Sequence, residues 1–199
     1  MQQWKALRWI TNFTYKIEHA AAEVGAFYQL ACKYYREVVL KEAILANITE
    51  KDHILCIGGG ICPFSAVLFH QSTGAKVTVI DNNMDCIPKA GQVIERLGLE
   101  DYVRVLYHDA NSSELDLSEY SAIHLAMQVT PMSCVFDRVE KQAKPGTKLL
   151  IRQPKKSLKS AYSGLQKQLL GRAAYVSHKG CNIGATLLYI KPEQDMAAV

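Results

Sequence analysis

The chain has 199 residues, enough for one domain with a buried core. With 49% hydrophobic and 21% charged residues it reads as an ordinary globular protein, and a net charge of +4 is too weak to argue for nucleic acid on its own. No apolar run reaches the roughly 18–20 residues of a membrane span, and the opening MQQWKALRW lacks the apolar core of a signal peptide, so a cytoplasmic protein is expected.

Residues 1–50 read as helical. Trp4, Leu7, Ile10, Tyr15 and Ile17 roughly follow helical spacing. After Gly25, a segment from Ala26 to Ala46 carries Phe27, Leu30, Ala31, Tyr34, Val38, Ala43 and Leu45 on a broad apolar face. The polar run from Asn47 to Asp52 leads out of it. The expected division is a helical N-terminal cap over 1–50 and a main α/β domain over 51–199.

The main domain opens on HILCIGGGICPFSAVLFHQSTGAKVTVID, residues 53–81. Ile54 to Ile57 has the length and composition of a buried strand, and Gly58, Gly59 and Gly60 follow at once. An apolar helix starts near Pro63, where a missing N–H is no loss, and runs to about Gln71. Val77 to Ile80 makes a second strand ending on Asp81, 21 residues past Gly60. Strand, glycine turn, helix, strand and acid form a βαβ unit of the dinucleotide-binding type. The turn lets a ligand approach bare backbone, its N–H groups favour an anion, and Asp81 is placed to accept hydrogen bonds from two ribose hydroxyls. A nucleoside-containing ligand is expected; a glycine-rich turn beside a solvated Asp is the plainer alternative.

Further on, a helix from about Met84 to Leu97 is closed by Gly98. Tyr102 to Tyr107 reads as a third strand ending in His108-Asp109, and Ala122 to Met127 as a fourth. Met132 to Gln142 is helical, and KPGT leads into a fifth strand, Lys148 to Arg152. Leu158 to Leu170 reads as helix; Ala173 to Val176 and Thr186 to Ile190 are strands, joined through Gly180 and Gly184 as a closing hairpin. The expected fold class is a Rossmann-like α/β architecture, a mostly parallel central sheet closed by an antiparallel hairpin with N-terminal helices.

Six cysteines (Cys32, Cys56, Cys62, Cys86, Cys134, Cys181) and six histidines are scattered, without zinc spacing, so no metal site is expected. Cys62 stands in the glycine turn at a helix mouth, where a thiol is either activated or simply packed. His124 lies inside the fourth strand and reads as a satisfied core residue rather than a base. The basic run Arg152, Lys155, Lys156, Lys159 reads first as a solvated face, with an anionic substrate or RNA as the alternative.

Glycines after strand one, acids after strands two and three, and a closing hairpin together resemble the class I S-adenosylmethionine-dependent methyltransferases over roughly residues 50–190. The resemblance implies S-adenosylmethionine as cofactor. Gly58, Gly59, Gly60 and Cys62 would lie under its methionine part, Asp81 and Asn82 at the ribose, and Asp109 and Ala110 beside the adenine. Gln128 and Thr130, after strand four, occupy the ligand-facing end of an open α/β sheet and are candidates for acceptor contact, Gln128 also for the cofactor. More narrowly, IGGGICPFSAVLF and SAIHLAMQVTP…VEKQAKPGTKLLIRQP look like the corresponding runs of nicotianamine synthases. That family transfers a 3-amino-3-carboxypropyl group to an amine, leaving methylthioadenosine. Its Tyr and Glu on helices before the glycine loop have counterparts in YYREVVLKEAIL: Tyr34, Tyr35 and Glu42. Tyr35 and Glu42 are therefore the catalytic candidates. The N-terminal part here is shorter than the family's, and RQPKKSLKS replaces its RSAHG-like segment.

The expectation is a transferase acting on a small amine or amino acid, with methyl transfer as alternative and a non-catalytic nucleotide- or RNA-binding module as second alternative. A homodimer is left open.

Overall fold

A computed structural model describes residues 25–112, 115–158, 173–179 and 182–193. The expected helices before Gly25, and most of the one expected from Leu158 to Leu170, lie outside the described residues. Helix α1 spans Gly25–Leu45, followed by β1 His53–Ile57, α2 Phe64–Thr73, β2 Lys76–Asp81, α3 Cys86–Arg96 and β3 Val103–Tyr107. Then come β4 Ala122–Leu125, α4 Met132–Gln142, β5 Lys148–Pro154, β6 Ala174–Ser177 and β7 Ile183–Ile190. The seven strands form one sheet in the order β3-β2-β1-β4-β5-β7-β6. β1 to β5 pair in parallel, and β7 enters antiparallel between β5 and β6. The expected fold is borne out, with boundaries shifted by a few residues.

Parallel strands covered on both faces need apolar side chains at almost every position, and β1, β4 and β5 supply them. On one face Ile54, Cys56, Val79, Ala122, Leu150 and Leu188 pack with Val39 and Ala43 of α1 and Val67 to Phe69 of α2. On the other, Leu55, Ile57, Ile123, Leu125, Leu149 and Ile151 pack with Met132, Val135, Phe136 and Val139 of α4. Helix α1 thus shares the core of the sheet.

Gly184 is not in a turn, as expected from the sequence, but inside β7. The register of β5 and β7 shifts at Gln153/Pro154. A Cβ on Gly184 would lie 3.0 Å from both Lys155 Cα and the Pro154 carbonyl oxygen, so glycine lets the strands close over the irregularity.

At the amino ends of the strands, Asp52 accepts from the Ser121 hydroxyl (2.7 Å), the Thr49 amide (2.8 Å) and Lys148 Nζ (3.2 Å). This tie of β1, β4 and β5 lies at the edge opposite the glycine turn and is structural.

Candidate active site

The strand order reverses between β1 and β4, and a ligand crevice is expected at their carboxyl ends. The chain leaves β1 through the three glycines. Gly58 has φ +84°, a left-handed conformation that favours glycine, and a Cβ there would crowd Val129 and Ala126 of the loop after β4. At Gly59 a Cβ would fall inside the van der Waals radius of Val79 Cγ1 on β2. Gly59→Ala is therefore expected to cost about 1–3 kcal/mol by overpacking. Most of that cost should disappear in a Val79→Ala background, which removes the opposing methyl. Equal costs in both backgrounds, read by urea titration as a double-mutant cycle, would rule this packing out.

The glycine N–H groups do not point at a ligand, contrary to the sequence expectation. Those of Gly58 and Gly59 are donated to the Ile80 carbonyl (2.9 and 3.4 Å), and that of Gly60 to Asp81 Oδ2 (2.8 Å). Asp81 Oδ1 accepts from the Asn83 amide at 2.9 Å. Asp81 is thus a half-buried clasp across the ends of β1 and β2, and each oxygen keeps a further lone pair for a ligand. The N–H groups without an intrahelical acceptor lie instead in the first turn of α2. There Ser65 and Ala66, which line the cleft, precede the first possible intrahelical acceptors.

The cleft encloses about 440 Å³ of empty space, the open solvent at its mouth included. Its lining includes Gly58, Gly59, Cys62, Phe64 and Gln128, together with Tyr35, Ser65, Cys56, His124 and Arg152. Cys62 is buried among Ile61, Phe64, Cys86 and Val93, a packed thiol at the wall. Gln128 is exposed at the rim. Asn82 and Asp109 are exposed beyond β2 and β3, with Asp109 Oδ1 accepting from the Asn111 amide at 2.9 Å and Ala110 buried beside it. Thr130 is exposed on the loop before α4.

Tyr35 and Glu42 both come from α1 but reach different depths. The Tyr35 ring lies 5.8 Å from that of Phe64, stacked, and 5.7 Å from the Arg152 guanidinium. Glu42 is fully buried. Its Oε1 accepts from Arg152 Nε (2.8 Å) and the Thr186 hydroxyl (2.6 Å), and its Oε2 from Arg152 Nη2 (2.8 Å). Arg152 Nη1 donates to Ser65 Oγ at 2.8 Å. The network therefore joins α1, α2, β5 and β7.

Arg152 corrects the surface-basic reading. It is 4% exposed and belongs to the core, leaving Lys155 and Lys156 as the described members of that run near the surface. His124 corrects another expectation: it is buried, as expected, but neither ring nitrogen has a hydrogen-bond partner. Sequence reasoning did not single out Arg152, Thr186 or Ser65 for the site. The signal was present, because Arg152 alternates with Leu150, and Thr186 with Leu188, on the face that meets α1. An acid in an apolar helix also calls for a buried base elsewhere.

Burial raises the Glu42 carboxyl, but the charge and paired hydrogen bonds of Arg152 outweigh it and hold it at about 2 instead of 4.5. Burial, aided by Arg152, brings the His124 imidazole down to about 3 from 6.5, against the opposing pull of Glu42. Burial raises the Cys56 thiol to about 12. At neutral pH the cluster is one fixed ion pair with a neutral imidazole and a thiol.

Both lowered values make the fold acid-labile. The unfolded chain takes up protons on His124 below about 6.5 and on Glu42 below about 4.5, which the native state refuses until about 3 and about 2. Stability present at neutral pH is thus lost progressively on acidification through that window. Each pH unit that separates native from unfolded titration is worth about 1.4 kcal/mol. Urea midpoints should fall steadily below about pH 6.5; a flat profile down to pH 4 would contradict the buried assignment. Among the described residues no cluster able to hold a metal is found, and no helix is long and apolar enough to cross a membrane.

No family model and no curated protein matches the chain. Solved structures do. A Glu-to-Gln variant of the nicotianamine synthase MtNAS in complex with S-adenosylmethionine superposes with a TM-score of 0.77 at 20% identity, over 94% of this chain and 76% of that one. MtNAS in complex with MTA and tNA gives 0.76 at 21% identity, over 94% and 74%. An RNA methyltransferase from Salinibacter ruber in complex with S-adenosyl-L-homocysteine gives 0.60 at 20% identity, over 79% and 92%. At such identities the likeness establishes the fold: a Rossmann-like α/β sheet of the kind seen in S-adenosylmethionine-dependent methyltransferases.

Proposed function

We propose that the chain is an S-adenosylmethionine-dependent transferase acting on a small amine or amino acid, with 3-amino-3-carboxypropyl transfer, as in nicotianamine synthases, as the leading reading. The observation that carries it is the Asp81 clasp: an acid at the end of β2 bonded to the glycine turn at the strand-order switch, beside an open cleft that the same turn lines.

The residues fit the group. The Gly58–Gly60 turn has no side chains to obstruct an approach from the cleft, and Ser65 and Ala66, in the first turn of α2, line the cleft where an anionic end such as a carboxylate would sit. Asp81 offers its spare lone pairs to ribose hydroxyls, Asn82 stands next to it, and Asp109 with Ala110 takes the adenine side. S-adenosylmethionine supplies a carbon bonded to a positively charged sulfur, which is already a good leaving group. The chain's contribution is accordingly placement and exclusion of water. Tyr35 presents its ring to the cleft. Glu42 works from behind, because a carboxyl at about 2 with both oxygens engaged is a poor base; it fixes Arg152 and faces His124.

The breadth of the MtNAS superposition favours aminocarboxypropyl transfer. Methyl transfer is the second reading, favoured by the Salinibacter ruber likeness. Burial of Arg152 removes the strongest member of the basic run from any RNA-binding face. Incubation with S-adenosylmethionine and a panel of amines and amino acids, followed by mass analysis of the nucleoside product, decides. Methylthioadenosine supports the leading reading and S-adenosylhomocysteine the second; no cofactor binding by calorimetry sinks both.

A further inference from the structure

Among the described residues, the buried side-chain atoms with no hydrogen-bond partner are both ring nitrogens of His124 and Nδ1 of His178. His178 still shares Nε2 with Thr186 Oγ1, 2.9 Å away. His124 shares neither nitrogen. A buried donor and acceptor left unmade are costly, and native proteins keep such groups chiefly where something else completes them. His124 is 1% exposed, and it lines the cleft with Tyr35, Ser65, Gln128 and Arg152.

The groups packed around the ring define what it can hold. Glu42 faces it from α1, with Oε2 3.8 Å from Nε2, beyond hydrogen-bond distance. Arg152 approaches from β5 and Cys56 is its register neighbour on β1. Phe69 of α2 meets it edge to face, 5.5 Å between ring centres. A carboxylate on the Nε2 side favours the proton there and leaves Nδ1 as a buried acceptor. A buried acceptor calls for a donor, which excludes ionised carboxylates and phosphates. Amines and hydroxyls remain. A hydroxyl nucleophile needs a base, and neither Glu42, at about 2, nor His124, at about 3, is strong enough to serve. A free amine needs none: its lone pair forms the C–N bond, the electron pair of the broken C–S bond returns to sulfur, and the positive charge leaves on the product as an ammonium ion, which gives its proton to solvent.

We propose that His124 receives the acceptor substrate, an amine held as its free base through an N–H···N hydrogen bond to the imidazole. The proposal rests on the transferase reading above and names the substrate group that this site takes. Arg152 and Glu42 offset one another, and burial disfavours an ammonium ion in the same place, so the uncharged amine is selected from solution. Turnover then rises with pH through the ammonium pKa of whichever amine is supplied. Nothing covalent happens to His124.

Three variants of the full chain test this: His124→Leu, of similar size without polar atoms, His124→Asn and His124→Gln. His124→Leu should melt at or above the wild-type temperature, because an orphaned polar group gives way to an apolar one. It should bind S-adenosylmethionine within about twofold of wild type by calorimetry, yet lose at least about 100-fold in kcat/KM for the amine. His124→Asn, which keeps an amide near Nδ1, should recover part of the amine KM, whereas His124→Gln should not. Unchanged amine kcat/KM in His124→Leu overturns the proposal. So does a marked drop in its melting temperature, which would mean that the ring is already satisfied inside the protein. Failure of the transferase reading looks different: the wild type itself then binds no S-adenosylmethionine, and the proposal falls with it.

Discussion

Glu42→Ala is expected to destabilise the protein by about 3–5 kcal/mol, the range for removing one partner of a buried ion pair. The substitution leaves the Arg152 guanidinium in the core with Ser65 as its remaining described hydrogen-bond partner, and takes the carboxylate acceptor from the Thr186 hydroxyl, which keeps His178. Against a total stability of about 5–15 kcal/mol this is a large fraction. The melting temperature should fall by roughly 10 °C for a chain of this size. The companion experiment separates charge from packing. Glu42→Leu combined with Arg152→Met removes both ions and should recover most of the loss, or exceed wild type, while abolishing activity. A loss below about 1 kcal/mol for Glu42→Ala would place the pair in water, at the level of an exposed bridge, and contradict the burial described above.

Asp81→Ala is expected to weaken S-adenosylmethionine binding by at least about 100-fold, since charge-assisted hydrogen bonds contribute about 1.5–3 kcal/mol each. Two losses combine. The spare lone pairs for the ribose hydroxyls go, and the Gly60 amide is released from its 2.8 Å bond, so the turn is no longer held in its binding shape. Asp81→Asn should fall between, because one amide oxygen can take the place of only one carboxylate oxygen. Stability should change little, since Asp81 is only half-buried at a strand end. Calorimetry with the cofactor reads the effect; an unchanged Kd would remove Asp81 from the site.

The sheet was legible because its signals are local and repeated. Val77 to Ile80, Ala122 to Leu125 and Lys148 to Arg152 are apolar runs of strand length set between helical periods, and a glycine turn followed by an acid marks the crossover. The polar core was not legible, because it is assembled from single residues on four elements. Arg152 sits among lysines in sequence, and only the pleat shows it turning inward with Leu150. His124 is chemically an ordinary strand residue until its neighbours are known. Whether those neighbours bring a hydrogen-bonding atom within reach is a property of three dimensions. The glycine N–H groups were misjudged for the same reason, since the Ile80 carbonyl that takes two of them lies on the neighbouring strand.

The buried ion pair also bears on the order in which the chain folds. Glu42 waits for Arg152, 110 residues downstream, and for Thr186, 144 residues downstream. During synthesis at about 5–20 residues per second, α1 is made well before either partner has left the ribosome. Docking α1 on the early strands would bury a lone carboxylate, so that step is disfavoured until β5 and β7 exist. β7 in turn must be in place before β6 has a strand to pair with. Seating of α1 with Glu42 ionised and fully bonded therefore requires both β5 and β7. A chain truncated before Thr186 still has Arg152 to match the charge of Glu42, but it lacks the hydroxyl that completes Oε1 and the strand that β6 pairs with.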